Sequence, residues 1–120
     1  MATNPPTSNV SLGDLLTAAK NIVTAVAAAA KTYQTVAGSA NMAAISANTV
    51  VKASPGRLCV VTVTTAGSAV GHVYDSSTAA TGRPVFVIPT TVGVYQVFMP
   101  MQYGIYAAPG SGQVFTVGYS

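Results

Sequence analysis

The chain has 120 residues, the size of one domain. Only 6% of them are charged, against about 25% in an average soluble domain. Its only acids are Asp14 and Asp75, and five scattered lysines and arginines give a net charge of +3 without a basic cluster, which argues against nucleic-acid binding. So few charges favour a chain that covers its surface with copies of itself or with a larger assembly.

Residues 1–10 are expected to form an extended arm, because two prolines and several small polar residues dominate them. The segment 11–38 follows as a helix. Ser11 is placed to cap its N-terminus, Asp14 lies three positions later as in a capping box, and Gly38 is a natural C-terminal stop.

The helix is not expected to be a secretory signal or a membrane span. The first basic residue is Lys20, so no basic region precedes the apolar stretch. Lys20 and Lys31 bound that stretch, which is shorter than the roughly 20 apolar residues that a bilayer needs. No membrane partner is therefore predicted.

Apolar residues recur along the helix at alternating steps of three and four, which is typical of a coiled-coil seam. Leu16, Val23, Ala30 and Ala37 widen the apolar stripe by one position. A stripe of this width suits a helix with more than one neighbour, such as a trimeric bundle or a helix that lies on a sheet, and a homotrimer is the favoured assembly. The alternative is a helix packed on its own domain. The predicted oligomer interface consists of eight residues: Leu12, Leu15, Ala19, Ile22, Val26, Ala29, Tyr33 and Val36.

After a connector at 39–48, interpreted as loop or a short helix, the apolar period changes to two. Turn residues divide residues 49–120 into about seven short strands. The predicted fold is therefore α+β: a long N-terminal α-helix followed by a small antiparallel β-sandwich or jelly-roll-like domain. One strand, 94–99, is apolar on both faces, so it is expected to lie between two layers, the second of which another subunit could supply.

No catalytic, cofactor-binding or metal-binding residue is predicted. His72 is the only histidine, and His72, Asp75 and Cys59 do not have the spacing of metal ligands. His72 and Asp75 are three apart in a strand pattern and would point to opposite faces. Cys59 is expected to be a small buried hydrophobe, and "PGSGQ" at 109–113 a hairpin turn without the Lys-Ser/Thr of a phosphate loop.

Six tyrosines remain to be placed. Core or subunit-interface packing is the favoured interpretation, because too few cations lie near them for a nucleic-acid surface. A carbohydrate-binding surface is the second interpretation.

Four segments carry a resemblance: "VVKASPGRL" (50–58), "VYD" (73–75), "IPTTVGVY" (88–95) and "PGSGQ" (109–113). With the final strand ending in Tyr-Ser, they resemble small proteins encoded among the virion genes of tailed phages and prophages, over roughly residues 48–120. The resemblance implies a structural virion protein similar to head decoration (cement) proteins or head fibres, which act without cofactors by binding the major capsid protein. It transfers no site residues.

The expected function is thus a non-enzymatic, capsid-decorating protein on the virion surface, made in the host bacterial cytoplasm. The alternatives are a tail-tip or receptor-binding adhesin with a glycan-binding β domain, and a pilin-like subunit. The chain lacks the leader, the early helical glutamate and the cysteine pair of pilins.

Overall fold

The computed structural model of the protein describes residues 11–120, so the predicted arm at 1–10 lies outside the described residues. One helix is followed by eight strands: α1 (Leu12–Ala37), β1 (Ala40–Ile45), β2 (Thr49–Lys52), β3 (Gly56–Thr65), β4 (Gly71–Tyr74), β5 (Phe86–Ile88), β6 (Gly93–Met101), β7 (Ile105–Ala108) and β8 (Val114–Tyr119). The chain divides into two units, one ending at Thr32 and the other spanning Tyr33–Ser120.

Local hydrogen bonds explain the bounds of α1. The Asp14 main-chain N–H donates to Ser11 Oγ (3.1 Å), and the Ser11 N–H donates to Asp14 Oδ2 (3.3 Å), which is the reciprocal capping box. At the other end Gly38 adopts φ 111°, a backbone conformation that side chains with a Cβ rarely tolerate, and its N–H donates to the Gln34 carbonyl (2.8 Å).

The strands form two four-stranded antiparallel sheets, β1-β8-β3-β6 and β2-β7-β4-β5. Strand pairs are nested: β4 pairs with β5, β3 with β6, β2 with β7 and β1 with β8. Two further pairs, β3 with β8 and β4 with β7, join the nested pairs into the two four-stranded sheets. This arrangement is a jelly roll. The predicted α+β class and the two-layered β domain are confirmed.

Both sheets of the core come from the same chain. The strand 94–99 packs only its inner face on this core, and no layer of the described chain covers its outer face, so the layer expected from another subunit stays a prediction. The core between the two sheets is apolar. Every strand contributes buried residues to it, β6 only through its last residue, Met101. The fully or almost fully buried members of the core are Ile45, Val51, Leu58, Val61, Val63, Val73, Ile88, Met101, Ile105, Ala107, Phe115 and Val117.

Two features differ from the sequence-based expectation. The connector at 39–48 contains β1, an eighth strand that exists because it pairs with β8, as in Ala40 opposite Tyr119. In addition, consecutive strands pair only at β4–β5 among the described residues, and the other connections cross between sheets. The "PGSGQ" segment is accordingly a turn, but it leads from β7 in one sheet to β8 in the other.

β-Bulges shape both edge strands of the sheet β1-β8-β3-β6. Ala44 (φ 54°) and Phe98 (φ 51°) have left-handed backbones where the registers of β1 and β6 shift. Arg57 Nη2 donates to the Phe98 carbonyl at 2.8 Å and so holds the bulge of β6. Bulges, together with Pro100 in β6, leave these edges poor templates for pairing with another strand.

Candidate interaction surfaces

Helix α1 exposes its apolar residues. None of the residues in Leu12–Ala37 is buried, and all eight residues of the predicted seam are exposed, among them Leu12 at 82%, Val26 at 63% and Tyr33 at 73%. Most helical stability in proteins comes from packing an apolar face, and the apolar face of these 26 residues has no such packing within the described chain. The exposed seam is therefore a candidate interaction surface.

The face of α1 opposite the seam is polar. Thr17, Thr24 and Lys31 recur there at every seventh position. The hydroxyls of Thr17 and Thr24 donate to the carbonyls of Gly13 and Lys20, each at 3.0 Å, so they are satisfied within the helix. The helix is thus amphipathic, and the seam residues form its apolar side.

The last turn of α1 is fixed to the β domain. The Thr35 carbonyl accepts hydrogen bonds from Ser120 Oγ (2.7 Å) and, more weakly, from Cys59 Sγ (3.7 Å). The Ser39 N–H donates to the Tyr119 carbonyl at 3.0 Å. Cys59 is fully buried, as expected for a small hydrophobe in this position.

A second candidate surface lies on the outer face of the sheet β2-β7-β4-β5. Tyr106 of β7 lies between Val50 of β2 and Tyr74 of β4 in one cross-strand row. His72 lies two residues before Tyr74 on the same face, with ring centroids 6.2 Å apart and ring planes at 43°. Half-buried aromatic rings on one flat face suit a planar or sugar-like ligand better than they suit general acid–base chemistry.

A third surface is the outward side of edge strand β6. Val94 (66% exposed) and Phe98 (39% exposed) point away from the core, whereas Tyr95 and Val97 pack against it. Gln96 separates the two exposed apolar residues, and no charged side chain lies in the strand Gly93–Met101. This face is the uncovered half of the strand that the sequence showed to be apolar on both sides.

Asp75 is a structural carboxylate. Oδ1 accepts main-chain N–H groups of Tyr103 (2.8 Å) and Gly104 (3.4 Å), and Oδ2 accepts that of Gln102 (2.9 Å). Partial burial opposes the ionised form, but these three donors outweigh it and lower the pKa of Asp75 below its ordinary value of 3.8. The carboxylate ties the end of β4 to the loop that leads from β6 to β7, and no hydrogen bond joins it to His72 within residues 11–120.

Within residues 11–120, no three His, Cys, Asp or Glu side chains come together in a group that could hold a metal ion.

One helix of the described chain, Leu12–Ala37, is long and apolar enough by composition to cross a membrane, a property that it shares with signal sequences and with core helices of soluble proteins.

Comparisons with known proteins add no relationship. No family model matches the chain, and it matches neither a curated protein nor a solved structure. The surfaces above are thus interpreted from their own geometry. The sequence indicated the seam through its spacing, but it gave no signal for the row of Tyr74 and Tyr106, because their strands pair across 32 positions.

Asp75→Asn should lower the free energy of unfolding by about 0.5–1 kcal/mol at pH 7, because a neutral amide accepts the three N–H groups less strongly and the site is partly solvated. A depressed pKa in the folded state means that the carboxylate stabilises the fold above pH 3.8 and loses this effect as the pH falls through the folded pKa. The difference between wild type and variant should therefore shrink in acid.

Urea unfolding at pH 7, 5 and 3 measures this difference. Asp14→Asn is the control with the same change of charge, placed in the helix cap instead. Equal loss of stability at pH 7 and pH 3 for Asp75→Asn would contradict the role assigned to the carboxylate.

Proposed function

We propose that the protein is a structural component of a tailed-phage virion that decorates or cements the head, acting as a homo-oligomer bound to the major capsid protein. The proposal places it on the capsid surface after synthesis in the host bacterial cytoplasm. Its mechanism is mechanical: the β domains bridge neighbouring capsid subunits, and α1 joins copies of the protein. It has no catalytic step.

The exposed seam of α1 is the observation that carries the proposal. Eight apolar positions at heptad spacing lie uncovered along 26 residues, with threonines on the opposite face. Burying such a stripe against copies of itself would stabilise the helix, since each buried methylene contributes roughly 0.8 kcal/mol to the free energy of association. A three-helix arrangement suits the stripe because its apolar width exceeds that of a two-helix seam.

The β domain supports the same proposal by analogy. Jelly rolls occur in viral capsid proteins and in lectins, although the same architecture hosts other functions. The scarcity of charge supports an obligate association over a free monomer. The resemblance to virion proteins over residues 48–120 supplies the phage context.

A second candidate is a tail-tip or receptor-binding adhesin with a glycan-binding β domain. The outer aromatic face of His72, Tyr74 and Tyr106 favours it, because aromatic rings on a flat sheet offer apolar area with polar edges. An adhesin requires this aromatic face for binding its receptor, whereas a capsid-decorating protein does not.

The purified full chain should have the mass of a trimer, about 36 kDa from three chains of 12.0 kDa. Val26→Asp places a charge in the centre of the seam and should shift the chain toward monomer, because a buried carboxylate without a partner is costly. Thr24→Asp introduces the same side chain on the opposite face and should leave the oligomer intact.

Sedimentation equilibrium or light scattering coupled to size exclusion provides the measurement. Circular dichroism confirms that the β domain of each variant is folded. A monomeric wild-type chain at all concentrations, or equal effects of the two substitutions, would rule out the seam as the assembly surface.

Capsid decoration predicts that the wild-type protein binds undecorated heads of the phage that encodes it. Electron microscopy of the mixture should reveal added density at regular lattice positions, and sedimentation of heads should carry the protein down with saturable stoichiometry. Full heads of an unrelated phage serve as the control. Density that is absent or irregular would count against the capsid as partner.

The adhesin alternative predicts that Tyr74→Ala weakens binding to host cells or to arrayed glycans by roughly tenfold, since a stacked ring contributes about 1–1.5 kcal/mol. Tyr103→Ala removes an exposed tyrosine outside the aromatic face and should have no effect. Unchanged cell and glycan binding in Tyr74→Ala would remove the observation that favours this candidate.

A further inference from the structure

The β domain contains a cationic pocket that the proposed function does not use. It has a volume of about 520 Å³, within the range of sites that hold small ligands. It lies where the turn between β2 and β3, the end of β6 and the last turn of α1 meet. Its lining residues are Thr35, Ser39, Lys52, Pro55, Gly56, Arg57, Pro100, Met101 and Ser120.

Two of the five cations of the chain, Lys52 and Arg57, line this pocket, and no acidic side chain does. Neither has an ion pair with another described residue. The two acids of the chain are committed elsewhere: Asp75 to three main-chain N–H groups and Asp14 to the helix cap. The positive charge of the pocket therefore lacks a side-chain counter-charge in the described part of the molecule.

The guanidinium of Arg57 is only partly hydrogen-bonded within the described residues. One of its terminal nitrogens, Nη2, holds the Phe98 carbonyl, but its Nε is buried and makes no hydrogen bond to any described residue. A buried N–H without an acceptor destabilises a fold. The main chain of Arg57 is fixed by Ser120, because the Arg57 N–H donates to the Ser120 carbonyl at 2.9 Å and the Ser120 N–H donates to the Arg57 carbonyl at 3.0 Å.

Lys52 lies against Gly56 in the turn between β2 and β3. A Cβ at residue 56 would lie 2.8 Å from Cδ and Nζ of Lys52, which this flexible side chain could relieve by moving, and it would also clash with the main-chain carbonyl oxygen of Ser120, which is fixed in the sheet. The Lys52 ammonium lines the same pocket as Arg57 and makes no hydrogen bond or ion pair within residues 11–120. Two cationic donors that line one pocket form a binding site for an anion.

We propose that this pocket binds the carboxylate of an Asp or Glu side chain from a partner polypeptide, with Lys52 and Arg57 as its donors. The pocket is larger than a carboxylate alone requires, and Pro55, Pro100 and Met101 provide apolar walls for the methylenes and flanking main chain of a peptide. A nearly acid-free chain with net charge +3 is also electrostatically complementary to an acidic partner. The inference goes beyond the proposed function, because it does not require the partner to be a capsid.

The test uses the full chain and three probes: the capped tripeptide acetyl-Ala-Glu-Ala-amide, its Gln counterpart, and inorganic phosphate. In two-dimensional ¹⁵N–¹H NMR titrations the Glu peptide should move the N–H signals of Gly56, Arg57 and Ser39 saturably. The Gln peptide should not move them. Lys52→Met should weaken the Glu peptide by about tenfold, because it removes one charge-assisted donor.

Lys20→Met is the matched control, since it removes the same charge from an exposed position on α1, outside the pocket, and should bind the Glu peptide as the wild type does. The remaining signals of both variants report whether the fold is intact. Three results would overturn the proposal: equal shifts by the Gln peptide, unchanged affinity in Lys52→Met, or binding of phosphate without binding of the Glu peptide. None of them bears on the helix seam or on head binding.

Discussion

The insertion of β8 between β1 and β3 is the contact on which the rest of the molecule depends. It brings the last strand of the chain beside the first, and it supplies the centre of one sheet together with Phe115 and Val117 of the core. The same strand end fixes the helix. Ser120 Oγ donates a hydrogen bond to the Thr35 carbonyl, and the Tyr119 carbonyl accepts one from the Ser39 N–H. Sheet, core and helix attachment therefore all depend on the placement of β8.

This topology has a kinetic consequence. Nested pairing places most strand contacts far apart in sequence, as between β1 and β8, so loop-closure entropy is lost before the pairs form. The local β4–β5 pair is the only consecutive one among the described strands and is the natural starting point. Before β8 pairs, the apolar strands beside it have open edges. In the finished sheet the edge strands are β1 and β6, and their bulges at Ala44 and Phe98 limit mispairing with other strands.

Sequence reasoning predicted the parts of this molecule that local physics determines. The capping box of Ser11 and Asp14 and the stop at Gly38 define α1 because their hydrogen bonds span only a few residues. β1 escaped prediction because "ANMAAI" has weak intrinsic β-propensity, and its pairing with β8 decides its state. The cationic pocket was equally out of reach, since Thr35 and Ser120 are 85 positions apart.

The composition of the seam limits what α1 can do by itself. Ala19 and Ala29 stand at core positions where leucine or isoleucine would bury three more methylene-sized groups, so each alanine forfeits roughly 2 kcal/mol per helix. In the proposed oligomer, a helix bundle with this seam would hold copies together weakly, and the β domain would have to share the interface. The uncharged outer side of β6, with Val94 and Phe98 exposed, gives the β domain an apolar surface for that purpose. If the proposed oligomer uses both surfaces, their linkage within one chain strengthens the association beyond what either weak surface gives alone.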